Sequence, residues 1–197
     1  MEVTTANKLL DKSIRNPTLD TLENTIISVL NSNKSNFLIP NNPKLARSLE
    51  DWGRDSPFDA KEPEKNAFAL LLASRGYEFL GFLKEAGICY QRAEGILYDA
   101  YLGTLKIRGM LLKKSAECHV QASEQANDFR EMRFRQEDAA HSYIKASWQF
   151  YKDKNIEEAK SCLYKAELYA KYARIRLNKF GYMRKIFGEY DRDPRMR

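Results

Sequence analysis

Proline is scarce in this chain and uneven. There are six in 197 residues, and none from residue 64 to residue 190. Glycine is also thin, at nine. A sandwich or barrel of many short strands needs far more of both at its turns, so a turn-rich β architecture is excluded. Cysteine occurs three times, at Cys89, Cys118 and Cys162. An odd number, widely spaced and in helix-like stretches, is not a secreted disulfide framework and fits a reducing compartment. The longest apolar run, 67–73, is seven residues, whereas a membrane-spanning helix needs about 20. The opening residues carry Glu2 and no apolar stretch behind them, unlike a signal peptide, and neither end bears a lipidation cysteine. These absences lead us to expect a soluble cytoplasmic protein without a membrane span.

Chemical motifs are missing as well. There is no CxxC, no H-E-x-x-H and no glycine-rich phosphate loop. Asp138 and His141 share a helical face at i, i+3, but a di-iron bundle needs two E-x-x-H units and further glutamates. Cys118 and His119 are adjacent, so on a helix their side chains diverge. The expectation is no metal, no cofactor and no enzymatic activity.

What the sequence does hold is charge and helical periodicity. Hydrophobic residues make up 43% and charged residues 30%, a balance that excludes wholesale disorder. A chain of this length can bury roughly 70% of its unfolded surface, enough for a core without staples. The formal charge is +6, and all of it lies in the last 33 residues, which hold 10 Lys/Arg against 4 Asp/Glu. Such a bias suits an anionic partner; it equally suits a terminal helix that is basic for solubility and its dipole.

The fold class read from these patterns is all-α. Residues 1–62 read as an N-terminal region of short helices and a Pro/Asn-rich connector, 63–190 as a helical-hairpin domain, and 191–197 as a disordered basic tail. Short helices are expected over 4–14, 19–30, where Thr18 is the expected N-cap, and 44–52. Phe37, Leu38, Ile39 and Trp52 are the expected packing anchors of the connector. Beyond Pro63 the expected helices are 64–79, 83–101, 105–126, 130–152, 156–178 and a short 180–190. Connections this short make consecutive helices antiparallel neighbours.

An internal repeat is the strongest signal. Residues 73–94 align without gaps on 146–167, an offset of 73 residues, close to two units of about 36. Small residues recur at Ala73/Ala146 and Ser74/Ser147, and an aromatic at Tyr77/Phe150. The following helix repeats Glu-Ala at 85–86 and 158–159, cysteine at 89 and 162, and alanine at 93 and 166. Matched small residues let two helices approach closely, and the paired cysteines read as small buried residues.

This pattern resembles the tetratricopeptide-type helical hairpin, best over 143–166, and its longer phrase also resembles the soluble NSF-attachment-protein branch. The departures are Lys154 in place of the usual turn glycine, Lys171 where a closing proline often stands, and a poor fit over 100–138. The resemblance implies a protein-interaction scaffold that docks a protein or peptide partner along the first-helix face of its hairpins. That face shows Phe68, Leu71, Leu72 and Arg75 in the first hairpin and His141, Ile144, Lys145 and Trp148 in the later one. The expected contact residues are Arg75, Lys145, Trp148 and Gln149, although Trp148 is equally readable as hairpin packing.

The alternative is RNA or DNA binding through the basic-aromatic segment 169–185, with Lys171, Arg174, Arg176, Lys179, Arg184 and Lys185 on phosphates. A second basic cluster is Arg130, Arg133 and Arg135. Against this, Tyr169, Tyr172, Leu177 and Phe180 read as the core stripe of a closing helix. A third reading is a homo-oligomer in which the amphipathic stripe of 19–30 packs on a neighbouring chain.

Overall fold

A computed structural model of the chain describes residues 19–31, 39–54 and 63–176, together with positions 183, 185 and 187. The protein is all-α. Among the described residues seven helices follow one another: α1 (Leu19–Leu30), α2 (Pro43–Arg54), α3 (Pro63–Leu80), α4 (Leu83–Asp99), α5 (Leu105–Glu124), α6 (Phe129–Lys152) and α7 (Ile156–Ala173). None of them is long and apolar enough to cross a membrane. The expected helix over 4–14, its neighbour's Thr18 cap, Phe37, Leu38 and the tail 191–197 lie outside the described residues.

The polar breaks in the sequence are where helices start. Thr104, Asp128 and Asn155 each accept a hydrogen bond on the side chain from the backbone N–H three residues on, at Ile107, Glu131 and Glu158. Helix α7 stops at Ala173, earlier than the expected 178, and the described positions 183, 185 and 187, within the expected short helix 180–190, are helical. After Ala173, Arg174 turns left-handed at φ 54° and its N–H closes on the carbonyls of Ala170 and Lys171.

From α2 onward each helix packs on the next in sequence, and α1 lies on α3 and α5. Longer contacts sort the helices into two layers. Arg92 of α4 reaches Glu50 of α2, and Gln91 of α4 donates to Ser142 of α6. Lys113 of α5 reaches Glu158 of α7. Thus α2, α4 and α6 form one layer, with α1, α3, α5 and α7 in the other.

The apolar run 67–73 is buried on every side, which explains a helix with no polar face there. It is covered by α2, where Leu70 sits against Gly53, and by Ile26, Val29 and Leu30 of α1. The described part of the amphipathic α1 stripe is therefore buried within its own chain. Ile39 and Trp52 join the same core, as their anchor reading requires.

A second core gathers Tyr143, Ile144, Phe150, Cys162 and Leu163, with Met183 and Phe187. Helix α5 serves both: Ile107, Leu111 and Cys118 face the first core, Leu112 and Ala116 the second. At Gly109 of α5 and Gly87 of α4 an added Cβ would force a neighbouring ring to shift. The ring of Phe150 lies 2.9 Å from where a Cβ of Gly109 would stand, and the imidazole of His119 lies 2.9 Å from that of Gly87.

The two hairpin turns match in detail. Gly81 and Lys154, 73 residues apart, both have left-handed backbones, at φ 84° and 62°. Phe82 N–H bonds the Tyr77 carbonyl and Asn155 N–H the Phe150 carbonyl, each at 2.9 Å. Lys154 adopts the conformation that glycine supplies at Gly81, at a steric cost that glycine does not bear. The 73-residue offset spans three helices, α3 to α5, and three antiparallel steps reverse direction. Helix α6 therefore runs opposite to α3, its sequence equivalent.

Candidate docking cleft between α4 and α6

Lys145, Trp148, Gln149 and Lys152 occupy i, i+3, i+4 and i+7 of α6, one stripe along the helix. Facing them, Glu94 and Tyr98 stand one turn apart on α4, and Arg108 and Leu112 of α5 form the floor. Together they enclose a cleft of about 400 Å³, within the size range of small ligand sites. Lys145, Trp148 and Gln149 were expected contact residues, and the structure brings all three to this cleft.

The charges are unevenly satisfied. Arg108 Nε is 2.8 Å from Glu94 Oε1, both side chains are nearly buried, and the guanidinium lies 4.4 Å over the Tyr98 ring. This pair is internally neutral. Lys145 is exposed and Lys152 sits 5.0 Å over the Trp148 ring; neither has a carboxylate partner among the described residues. Trp148 also stacks on Tyr151 at 5.8 Å. Gln149 is only 9% exposed, and its amide oxygen is buried without a hydrogen-bond partner. A buried acceptor left unmatched costs about 1–3 kcal/mol.

Arg75 stands apart from this group. It is 5% exposed, ion-paired to Glu78 and stacked 4.3 Å over the Phe79 ring. Tyr90 donates to the same Glu78 carboxylate at 2.8 Å. Phe68, Leu71 and Leu72 are likewise buried, because α1 and α2 cover that face of α3. The first-hairpin face is core, and only the face on α6 is open.

The basic segment is partly visible. Lys171, Arg174, Arg176 and Lys185 are exposed, whereas Lys179 and Arg184, with Leu177 and Phe180, lie outside the described residues. Tyr169 stacks on Tyr143 at 6.0 Å, as a core residue should, but Tyr172 is 52% exposed. Arg133 Nε donates to the Ala173 carbonyl at 2.7 Å, which sets the first turns of α6 beside the end of α7. Arg130 and Arg133 thereby join the exposed cations of α7, with Phe129 and Phe134 exposed among them.

A second cleft of about 390 Å³ lies between the end of α1, α5 and the start of α7. Most of its charges are paired, Lys113 with Glu158 at 2.8 Å and Lys114 with Glu117 at 3.6 Å, while the lining Lys106 is exposed. Asp138 is taken by Arg135 at 2.9 Å, while His141 is exposed with Nδ1 near the Glu137 carbonyl. All three thiols are buried, and burial pushes Cys118 and Cys162 up to about 12 and Cys89 further. They stay protonated at neutral pH and act as packing groups.

Glu94, Tyr98, Arg108 and Lys152 were not foreseen as cleft residues. Glu94 and Tyr98 are one turn apart and so share a face, a signal present in the sequence. The register that sets Arg108 against them comes only from α4–α5 packing. The sequence matches no protein-family model, no curated protein and no solved structure.

Proposed function

We propose that the protein is a non-enzymatic interaction module of tetratricopeptide-like architecture, and that a partner segment docks in the α4–α6 cleft. The matched turns at Gly81 and Lys154 and the two-layer stacking support the architecture. The observation that carries the docking reading is the unpartnered Gln149 oxygen, buried in the wall of a cleft that also gathers Lys145 and Trp148. A site that desolvates an acceptor and leaves two cations unpaired is incomplete by itself.

The test is quantitative affinity capture from the source extract with nuclease present, comparing wild type with Lys145→Glu/Trp148→Ala. Retained proteins that depend on both residues support docking in the cleft; an unchanged set overturns it.

A second reading is favoured by the Arg133–Ala173 bond, which assembles Arg130, Arg133, Lys171 and Arg174 around exposed Phe129, Phe134 and Tyr172. Cations interleaved with aromatics suit single-stranded nucleic acid. Binding of an oligouridylate that falls steeply with salt would support this reading, and flat, weak retention would remove it.

A further inference from the structure

Resting on the docking reading, we infer that the segment taken by the α4–α6 cleft is extended and acidic, with two carboxylates about three residues apart. The lining residues Lys145, Lys152, Arg108 and Glu94 leave a surplus of two positive charges. Glu94 is committed to Arg108, so the surplus sits on the two lysines of α6. Seven residues of helix separate them by about 10.5 Å along the axis. An extended chain of polyproline II type covers that in about three residues at roughly 3.1 Å each, and its three-residue turn puts side chains i and i+3 on the same face. The segment therefore reads acid-x-x-acid, with the long lysine side chains absorbing the small remaining difference in length.

Between the lysines stands Gln149, whose buried oxygen needs a donor. An extended backbone presents an N–H and a carbonyl at each residue, so once a side-chain rotation turns this solvent-inaccessible oxygen toward the cleft it can accept from the segment while the carboxylates meet the lysines. Leu112 and Ile144 line the same cleft and give an intervening apolar side chain its contact. A nucleobase is a poorer occupant, because the Trp148 ring already carries Tyr151 and Lys152 and offers no vacant platform.

The experiment is selection of a displayed library of random dodecapeptides on the full chain, followed by fluorescence anisotropy of the enriched peptides at two salt concentrations. We expect enrichment of sequences with acids three positions apart. Their affinity should fall at least tenfold with Lys145→Glu/Lys152→Glu and severalfold with Gln149→Leu. It should also fall as salt rises.

Enriched peptides that lack acids yet depend on Trp148 and Gln149 would overturn the acidic class while leaving the docking reading intact. No enrichment dependent on any cleft residue would overturn both. The segment 189–193, Glu-Tyr-Asp-Arg-Asp, follows Phe187, whose ring meets Tyr151 at 5.7 Å. Selection that succeeds only with Glu189→Lys/Asp191→Lys/Asp193→Lys would name the chain's own segment as occupant and overturn a partner in trans. Capture of oligouridylate at the same lysines, without peptide enrichment, would overturn it in favour of nucleic acid.

Discussion

The Tyr77 hydroxyl donates to Glu50 Oε2 at 2.9 Å across 27 residues of sequence, joining α3 to α2. The other oxygen of Glu50 accepts from Arg92 of α4, also at 2.9 Å. One carboxylate, 7% exposed, thus fastens three helices. Glu78 repeats the arrangement in miniature, taking one tyrosine, Tyr90, and one arginine, Arg75.

Removing Glu50 should therefore cost more than a surface ion pair does. Glu50→Ala strands the buried Tyr77 hydroxyl, while the partly exposed Arg92 can rehydrate. We expect a loss of about 2 kcal/mol. Urea unfolding monitored by circular dichroism measures it. A loss below about 0.5 kcal/mol would show that the carboxylate is not a structural fastener.

The Lys154 turn offers a gain. Glycine relieves the left-handed strain, so Lys154→Gly should stabilise by about 0.5–1 kcal/mol. Gly81→Ala, placing a Cβ in the equivalent conformation, should destabilise by about 1 kcal/mol. Nothing lies within 4 Å of that position, so the effect is purely conformational. Denaturation midpoints moving in the same direction would contradict the equivalence of the two turns.

Gln149→Leu should separate stability from binding. It removes a buried, unmatched acceptor and should raise stability by about 1 kcal/mol, while weakening cleft-dependent peptides severalfold. A variant that loses stability and binding together would assign Gln149 a structural role instead.

His119 should make the fold acid-sensitive. It is 1% exposed, neither ring nitrogen has a hydrogen-bond partner, and burial, with a smaller contribution from Arg135, lowers its pKa from 6.5 to about 4. Between these values the unfolded chain binds the proton and the folded one does not, so stability present above pH 6.5 is lost as pH falls towards 4. The loss from this group approaches about 3 kcal/mol at the lower end. Unfolding free energies of wild type and His119→Leu across pH 4–7 measure it: the variant should show the flatter profile. Superimposable profiles would discharge His119 from that role.

Much of the fold was legible because local signals agreed. Proline at 63, glycines at 81 and 103, and the polar breaks at 127–128 and 153–155 mark helix ends in the sequence alone. The repeat located two equivalent turns, and the expected helices 83–101, 105–126 and 130–152 already place three helices between them. The cleft was half legible: Lys145, Trp148 and Gln149 lie on one helix face, which spacing alone defines. Arg75 was misplaced on an open face because periodicity shows which residues align, not which neighbour covers them. Its pairing with Glu78 at i, i+3 was written in the sequence; the burial that makes it structural depends on α1 and α2 docking.

For the proposed docking, the reversal between α3 and α6 would set the valence. In a stack built by repeated screw translation, successive hairpins offer equivalent faces with the same polarity, and a long partner can thread them one after another. Here the two matched hairpins point in opposite senses, and the face of the first is sealed. A bound segment would engage one α4–α6 cleft in one direction, so affinity would rest on the fit of a single short stretch rather than on avidity along a ladder.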